Sequence, residues 1–150
     1  MIAVIQRAAS ASVVADGEQA GKCEKGLFVL LGVVDGDTEK DAEILGAKVS
    51  KLRIFTDEND KMNLSVKDVS GSVLVVSNFT LGADVSHGNR PSFTPAAHPS
   101  VAEPLYEYFC KCIENEGLPV EKGVFGAHME IALNADGPVT ILMDSKIWVK

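Results

Sequence analysis

The chain has 150 residues, 46% of them hydrophobic, and a formal net charge of −7. That length suits one compact domain, 1–150, able to bury roughly 68–70% of its unfolded surface. The acidic balance excludes a broad nucleic-acid-binding face, which takes clustered Lys and Arg, and no run of about 18 uncharged apolar residues is present to span a membrane.

In chain order, Met1–Arg7, Ala11–Ala15 and Leu27–Val34 are rich in Val, Ile and Leu and separated by Gly or polar breaks, which predicts strands. Gln6, Arg7 and Ser10 interrupt the first stretch, so it reads as strand rather than secretory signal. Asp16-Gly17 predicts a hairpin turn. Asp37-Thr38 precedes apolar residues at Ala42, Leu45, Val49 and Leu52, a helical period that predicts a capped helix over Thr38–Lys51. Arg53–Phe55 then predicts a strand, Asp57–Asp60 a charged turn and Ser72–Asn78 a core strand. Gly82, Gly88, Pro91, Pro95 and Pro99 punctuate a stretch without apolar period, which predicts a long loop of the kind that carries function in small domains. Ser100 opens a second predicted helix to about Glu116, with Glu103 in capping-box position, apolar Val101, Leu105, Tyr108, Phe109 and Cys112, and Gly117 as its stop. Met129–Leu133 and Val139–Met143 predict two strands joined by the Asp-Gly-Pro segment. Two helices against about eight short, mostly antiparallel strands make an α/β domain.

Cys23, Cys110 and Cys112 form an odd set without a C-x-x-C pair, which fits a reducing cytoplasm better than a disulfide scaffold. Cys110 and Cys112 point about 200° apart on a helix. His87, His98 and His128 are scattered, so neither a metal nor another cofactor is expected.

Two segments point to chemistry. In Asn134-Ala135-Asp136-Gly137-Pro138-Val139-Thr140, proline fixes φ at about −65° and glycine takes φ values closed to other residues. The pair makes either a plain hairpin turn or a kink that presents two carbonyl oxygens to a ligand, and spacing leaves its cis or trans state open. The run Val73-Leu74-Val75-Val76-Ser77-Asn78-Phe79-Thr80-Leu81 ends in hydroxyl and amide groups, which are costly at a buried strand end unless partnered.

Together with Val4-Ile5-Gln6-Arg7, Leu52-Arg53-Ile54-Phe55, Lys61-Met62-Asn63-Leu64-Ser65-Val66, Gly88-Asn89-Arg90-Pro91-Ser92-Phe93 and Gly123-Val124-Phe125-Gly126-Ala127-His128-Met129, these segments resemble, in order and spacing, the D-aminoacyl-tRNA deacylases over nearly the whole chain. The resemblance implies a barrel-like or layered sheet, hydrolysis of the ester in D-aminoacyl-tRNA and in glycyl-tRNA, and a homodimer. It implies that Ser77, Asn78, Phe79 and Thr80, matching a Ser-Gln-Phe-Thr motif, line the catalytic pocket for the terminal adenosine and its ester. Gly137 and Pro138 match a Gly-cisPro motif that enters the partner's site and screens chirality, and Arg7 matches its brace. Phe125, Gly126, Ala127 and Met129 match the adenine side of the pocket.

Such an ester needs little more than a placed water and main-chain donors for the developing oxyanion. Thr80 is then a nucleophile, a water-orienting hydroxyl or a strand-end partner, and the substrate's 2′-hydroxyl is a rival source of assistance. Asn78 stands one methylene short of the family's Gln. Phe79, Phe125 and Met129 read equally as core. A noncatalytic module that binds an RNA 3′ end or a nucleotide is the competing function, and an unrelated small-molecule esterase a third.

Overall fold

The computed structural model describes residues 1–149. Its elements run β1 (Ile2–Ala15), β2 (Glu18–Cys23), β3 (Gly26–Gly32), α1 (Glu39–Ser50), β4 (Phe55–Thr56), β5 (Met62–Leu64), β6 (Ser72–Ser77), α2 (Pro99–Asn115), β7 (Val120–Lys122) and β8 (Met129–Asp144). Short 3-10 turns occupy Phe79–Gly82 and Ser145–Ile147.

The chain reverses at Asp16-Gly17, where both residues have positive φ (52° and 78°), as a tight two-residue hairpin requires. β2 and β3 then follow one another antiparallel along β1, with Cys23 opposite Ala11 and Gly26 opposite Ala8. β6 adds parallel to β3, and β7 parallel to β6. β7 curls back beside β2, where the Lys22 N–H donates to Glu121 Oε1 at 3.2 Å, so the sheet nearly closes into a barrel. This approach needs a glycine: a Cβ on Gly21 would lie 2.5 Å from the Lys122 carbonyl oxygen.

Both faces of the sheet are buried, which is why β3 and β6 read as unbroken apolar runs rather than alternating ones. Leu27, Val29, Leu31, Val73 and Val75 pack under α1 and α2, while Phe28, Leu74 and Val76 fill the barrel with Ala8, Ala11, Val13 and Cys23. β1 serves both cores. Ala3 and Ile5 face the helices, the pairing with β8 slips near Ala8, and Ala11 and Val13 then face the barrel interior. The two strands predicted over Met1–Arg7 and Ala11–Ala15 are therefore one strand that changes face, and Ser10 lies within it.

The hairpin expected at the Asp-Gly-Pro segment is also replaced. β8 is a single strand, antiparallel to β1 on both sides of Gly137-Pro138, so the chain never reverses there. Gln6 lies opposite Thr140 and Ala8 opposite Ala135, which leaves Asp136–Val139 bulging out opposite Arg7 alone. The Gly137-Pro138 peptide bond is cis.

The first helix lies where predicted, with Asp41 Oδ2 accepting from the Thr38 N–H (2.8 Å) and hydroxyl (3.0 Å). The second begins at Pro99, one residue before Ser100, so the expected Ser100–Glu103 capping box does not form. His98 caps it instead, its Nδ1 accepting from the Ser100 N–H at 3.2 Å. Its buried stripe is Ala102, Leu105, Tyr106, Phe109, Cys110 and Ile113, while Val101 is exposed. The predicted strand at Arg53–Phe55 shrinks to β4, paired with β5 in a separate two-stranded ribbon.

Beneath the start of α1, the buried Met1 amino group contacts Asp37 Oδ1 at 2.6 Å and donates to Ser145 Oγ at 2.8 Å. The Ser145 hydroxyl in turn donates to Asp41 Oδ1 at 2.6 Å. No helix is long and apolar enough to cross a membrane among the described residues.

Candidate functional site

Parallel strands β3, β6 and β7 end side by side, and the segments leaving their carboxyl ends wall a cleft of about 690 Å3. Crevices at the carboxyl ends of parallel strands are where α/β folds ordinarily take ligands. The walls are Leu30–Leu31 and Val33, Val76–Phe79, Phe93 with Ala96–Pro99, Ala102 and Tyr106 of α2, and Phe125–Met129 with Ile131.

The turn after β6 is set by main-chain bonds. The Asn78 N–H donates to the Leu31 carbonyl at 2.8 Å, and the Leu81 N–H bonds back to the Asn78 carbonyl at 3.4 Å. The N–H groups of Phe79 and Thr80, at the start of the 3-10 turn, have no acceptor within it, as at any helix start. The Thr80 hydroxyl donates to Asn78 Oδ1 at 2.5 Å. With Oδ1 so engaged, the Asn78 amide keeps its NH2 donor for another partner.

Behind the cleft, Tyr106 is almost wholly buried, and its hydroxyl donates to the Val75 carbonyl at 2.7 Å. Burial, then the Cys110 and Glu107 charges, push that phenol far above its usual range, so it stays a neutral donor. Its ring lies 5.9 Å from that of Phe125 and ties the Phe125–Met129 segment to α2. At Gly126 φ is +77°, a left-handed conformation that lets this segment turn along the cleft.

Of the residues singled out in the sequence, Ser77, Asn78, Phe79, Phe125, Gly126, Ala127 and Met129 all line this one cleft. Thr80 is exposed beside it. Arg7, Gly137 and Pro138 do not line it. Arg7 instead braces the β8 bulge: its Nε donates to the Asp136 carbonyl at 3.0 Å and lies 3.2 Å from Asp136 Oδ2, and its guanidinium also donates to the Ile54 carbonyl at 2.8 Å. Asp136, Gly137 and Pro138 are exposed.

Sequence reasoning missed Phe93, His98, Tyr106 and His128 on the cleft wall. Phe93 and His128 stood inside quoted motif segments without being assigned a role, and a helical stripe shifted by one position from the assumed one passes through Tyr106. No thiol is primed as a nucleophile. Burial pushes Cys23 up to about 11 and Cys110 up to about 12, and Cys112 is raised chiefly for the same reason. Among the described residues no group of three or more His, Cys, Asp and Glu is placed to hold a metal ion.

The cleft thus offers apolar walls, an amide and hydroxyl rim, and main-chain donors, a set suited to holding a nucleoside ester and polarising its carbonyl. The chain is 56% identical over 146 residues to a D-aminoacyl-tRNA deacylase of Koribacter versatilis, covering 97% of this chain and 98% of that protein. It is 54% identical to one from Thermotoga petrophila, with 97% of each covered. A solved structure titled c-Myc DNA Unwinding Element Binding Protein superposes with a TM-score of 0.89 at 39% identity, covering 96% of this chain and 98% of that one. The family model for D-Tyr-tRNA(Tyr) deacylase matches residues 4–144, and the chain belongs to that family.

Proposed function

We propose that this protein hydrolyses the ester joining a D-amino acid to the 3′-terminal ribose of tRNA. Water supplies the hydroxyl to the acyl carbon, the acyl C–O bond breaks, and the ribose oxygen leaves with a proton, giving free D-amino acid and tRNA. The observation that carries this reading is the family match across residues 4–144. The cleft lined by Ser77–Phe79 and Phe125–Met129 supports it as the place where the aminoacyl-adenosine end would sit.

In this reading the Phe79 and Thr80 N–H groups stabilise the oxyanion, Ser77 and Asn78 hold the ester and ribose, and Phe125, Gly126, Ala127 and Met129 form the adenine side. Thr80 orients Asn78 rather than attacking, because its hydroxyl proton is given to an amide oxygen and not to a base. Proton traffic then falls to water and to the substrate's own 2′-hydroxyl.

Chirality is screened by rejection. The Gly137 and Pro138 carbonyls face the substrate's α-carbon and leave room for hydrogen where an L side chain would need to go. Neither residue lines the cleft of its own chain, so the screen requires a second copy that delivers its Arg7-braced bulge in trans. A homodimer is supported by the outer edge of β8, which pairs with no other strand among the described residues, and by the exposed Leu142 on that strand. Glycine has no side chain to clash, so glycyl-tRNA is cleaved as well.

Single-turnover hydrolysis of D-Tyr-tRNA and L-Tyr-tRNA tests the reading. Release of D-tyrosine at least about a hundredfold faster than L-tyrosine is expected. Binding without release of either would favour the noncatalytic RNA-end module, and equal rates would remove the screen.

A further inference from the structure

Phe79 and Phe93 come from different segments, the turn after β6 and the long loop before α2, yet their rings meet edge to face at 5.2 Å with an interplanar angle of 74°. Both line the rim of the cleft, and both stay open to solvent, Phe79 at 61% and Phe93 at 38%. Large rings exposed in contact at the mouth of a site present a ready apolar face. The loop beneath Phe93 is pinned. Asp84 and Ser92 exchange main-chain bonds at 2.7 and 2.9 Å, the Ala96 N–H donates to the Phe93 carbonyl at 3.0 Å, and the Asp35 N–H donates to the Pro95 carbonyl at 2.8 Å. The pair is therefore held in place before any ligand arrives, which lowers the cost of using it.

Charge says what such a face is for. A chain of net charge −7 cannot hold an RNA strand mainly through its phosphates. Base–aromatic stacking is the other general means of gripping single-stranded nucleic acid, and it accepts any base. We propose that Phe79 and Phe93 form a stacking platform for the unpaired nucleobase that precedes the 3′-terminal adenosine. The inference rests on the function proposed above, because it needs the terminal aminoacyl-adenosine to occupy the adjoining cleft. The same loop carries Arg90, which makes no ion pair among the described residues and is the cation available to the intervening phosphate.

The test compares two substrates, D-Tyr-tRNA and 3′-O-D-tyrosyl-adenosine, which lacks the preceding nucleotide. For Phe93→Ala, KM for the tRNA rises about tenfold, the loss expected for one stacked base, while KM for the aminoacyl-adenosine moves less than about twofold. Phe93→Trp restores the tRNA value, and Phe93→Leu, which keeps apolar bulk without a π face, does not. Equal changes on both substrates would overturn the proposal by making the pair a wall of the adenosine pocket. No change on either would overturn it, as would a Phe93→Ala protein whose sedimenting mass falls, which would assign the rings to a subunit contact. Absence of wild-type turnover on both substrates would instead defeat the proposed deacylase function.

Discussion

At the scale of single residues, Thr80 and Asp41 have opposite kinds of work. Thr80 is exposed and gives its hydroxyl proton to Asn78, so its loss frees one amide to reorient without removing a reacting atom. Thr80→Ala is expected to keep kcat within about tenfold of wild type, whereas deletion of a covalent nucleophile costs several orders of magnitude. Single-turnover kinetics under saturating enzyme separates the two. Asp41 is buried and structural. Burial alone would raise its pKa, but hydrogen bonds from the Ser145 hydroxyl and from the Thr38 N–H and hydroxyl outweigh it, and the carboxyl ends below its usual value. A folded-state value lower than the unfolded one, about 3.9, means the stabilisation is fully present above about pH 5. It is lost as pH falls through the depressed folded value. Urea melts from pH 6 to pH 3 should show the wild type losing stability faster than Asp41→Asn, and parallel curves would refute this. The replaced Glu103 cap and the expected Thr38 helix start teach the same lesson: a cap is legible when its partner sits within the same turn, as Asp41 does for Thr38, and illegible when a proline permits an earlier start, as Pro99 does.

At the scale of elements, the β8 bulge depends on one side chain. Arg7 reaches the Asp136 carbonyl, the Asp136 carboxylate and the Ile54 carbonyl, a three-way span that a guanidinium can make and an ammonium cannot. Arg7→Lys and Arg7→Ala should both loosen Asp136–Val139 while leaving the cleft walls intact. The expected outcome is a fall in the D-over-L rate ratio of at least about tenfold, with the D rate changed less than the L rate. Measuring both aminoacyl-tRNAs with each variant checks it, and a proportionate loss of both rates would assign Arg7 to stability alone. That β8 is one strand was hidden in the sequence because its two halves are separated by residues that ordinarily end strands. Only pairing of both halves with the same 14-residue partner, β1, keeps the direction unchanged.

At the scale of the whole molecule, the proposed chiral screen requires a second copy of the chain. Leu142 is 69% exposed on the longest strand, whose outer edge pairs with no other strand among the described residues, and long unpaired edges are ordinarily covered. Sedimentation equilibrium should give twice the 16.0 kDa chain mass. Leu142→Asp, by placing a charge in the apolar contact, should shift the equilibrium toward the single chain and reduce chiral discrimination in step with the dimer fraction. A monomeric wild type that still rejects L-aminoacyl-tRNA would dismiss delivery of Gly137 and Pro138 in trans.

Local signals in the sequence were enough for the α/β class, the helix at Thr38–Lys51, the Asp16-Gly17 reversal and the core strand before Ser77, because each rests on contacts within a few residues or on side chains that must be buried on both faces. The motif order was enough to bring the family into view, and Ser77–Phe79 and Phe125–Met129 do share one cleft. Tertiary structure decided the rest. The continuity of β1 and β8 and the separation of Gly137-Pro138 from its own chain's pocket depend on which distant strand supplies the hydrogen bonds, and the place of Tyr106 and Phe93 at the cleft depends on how α2 and the loop before it pack on the sheet; no local run of residues encodes either choice.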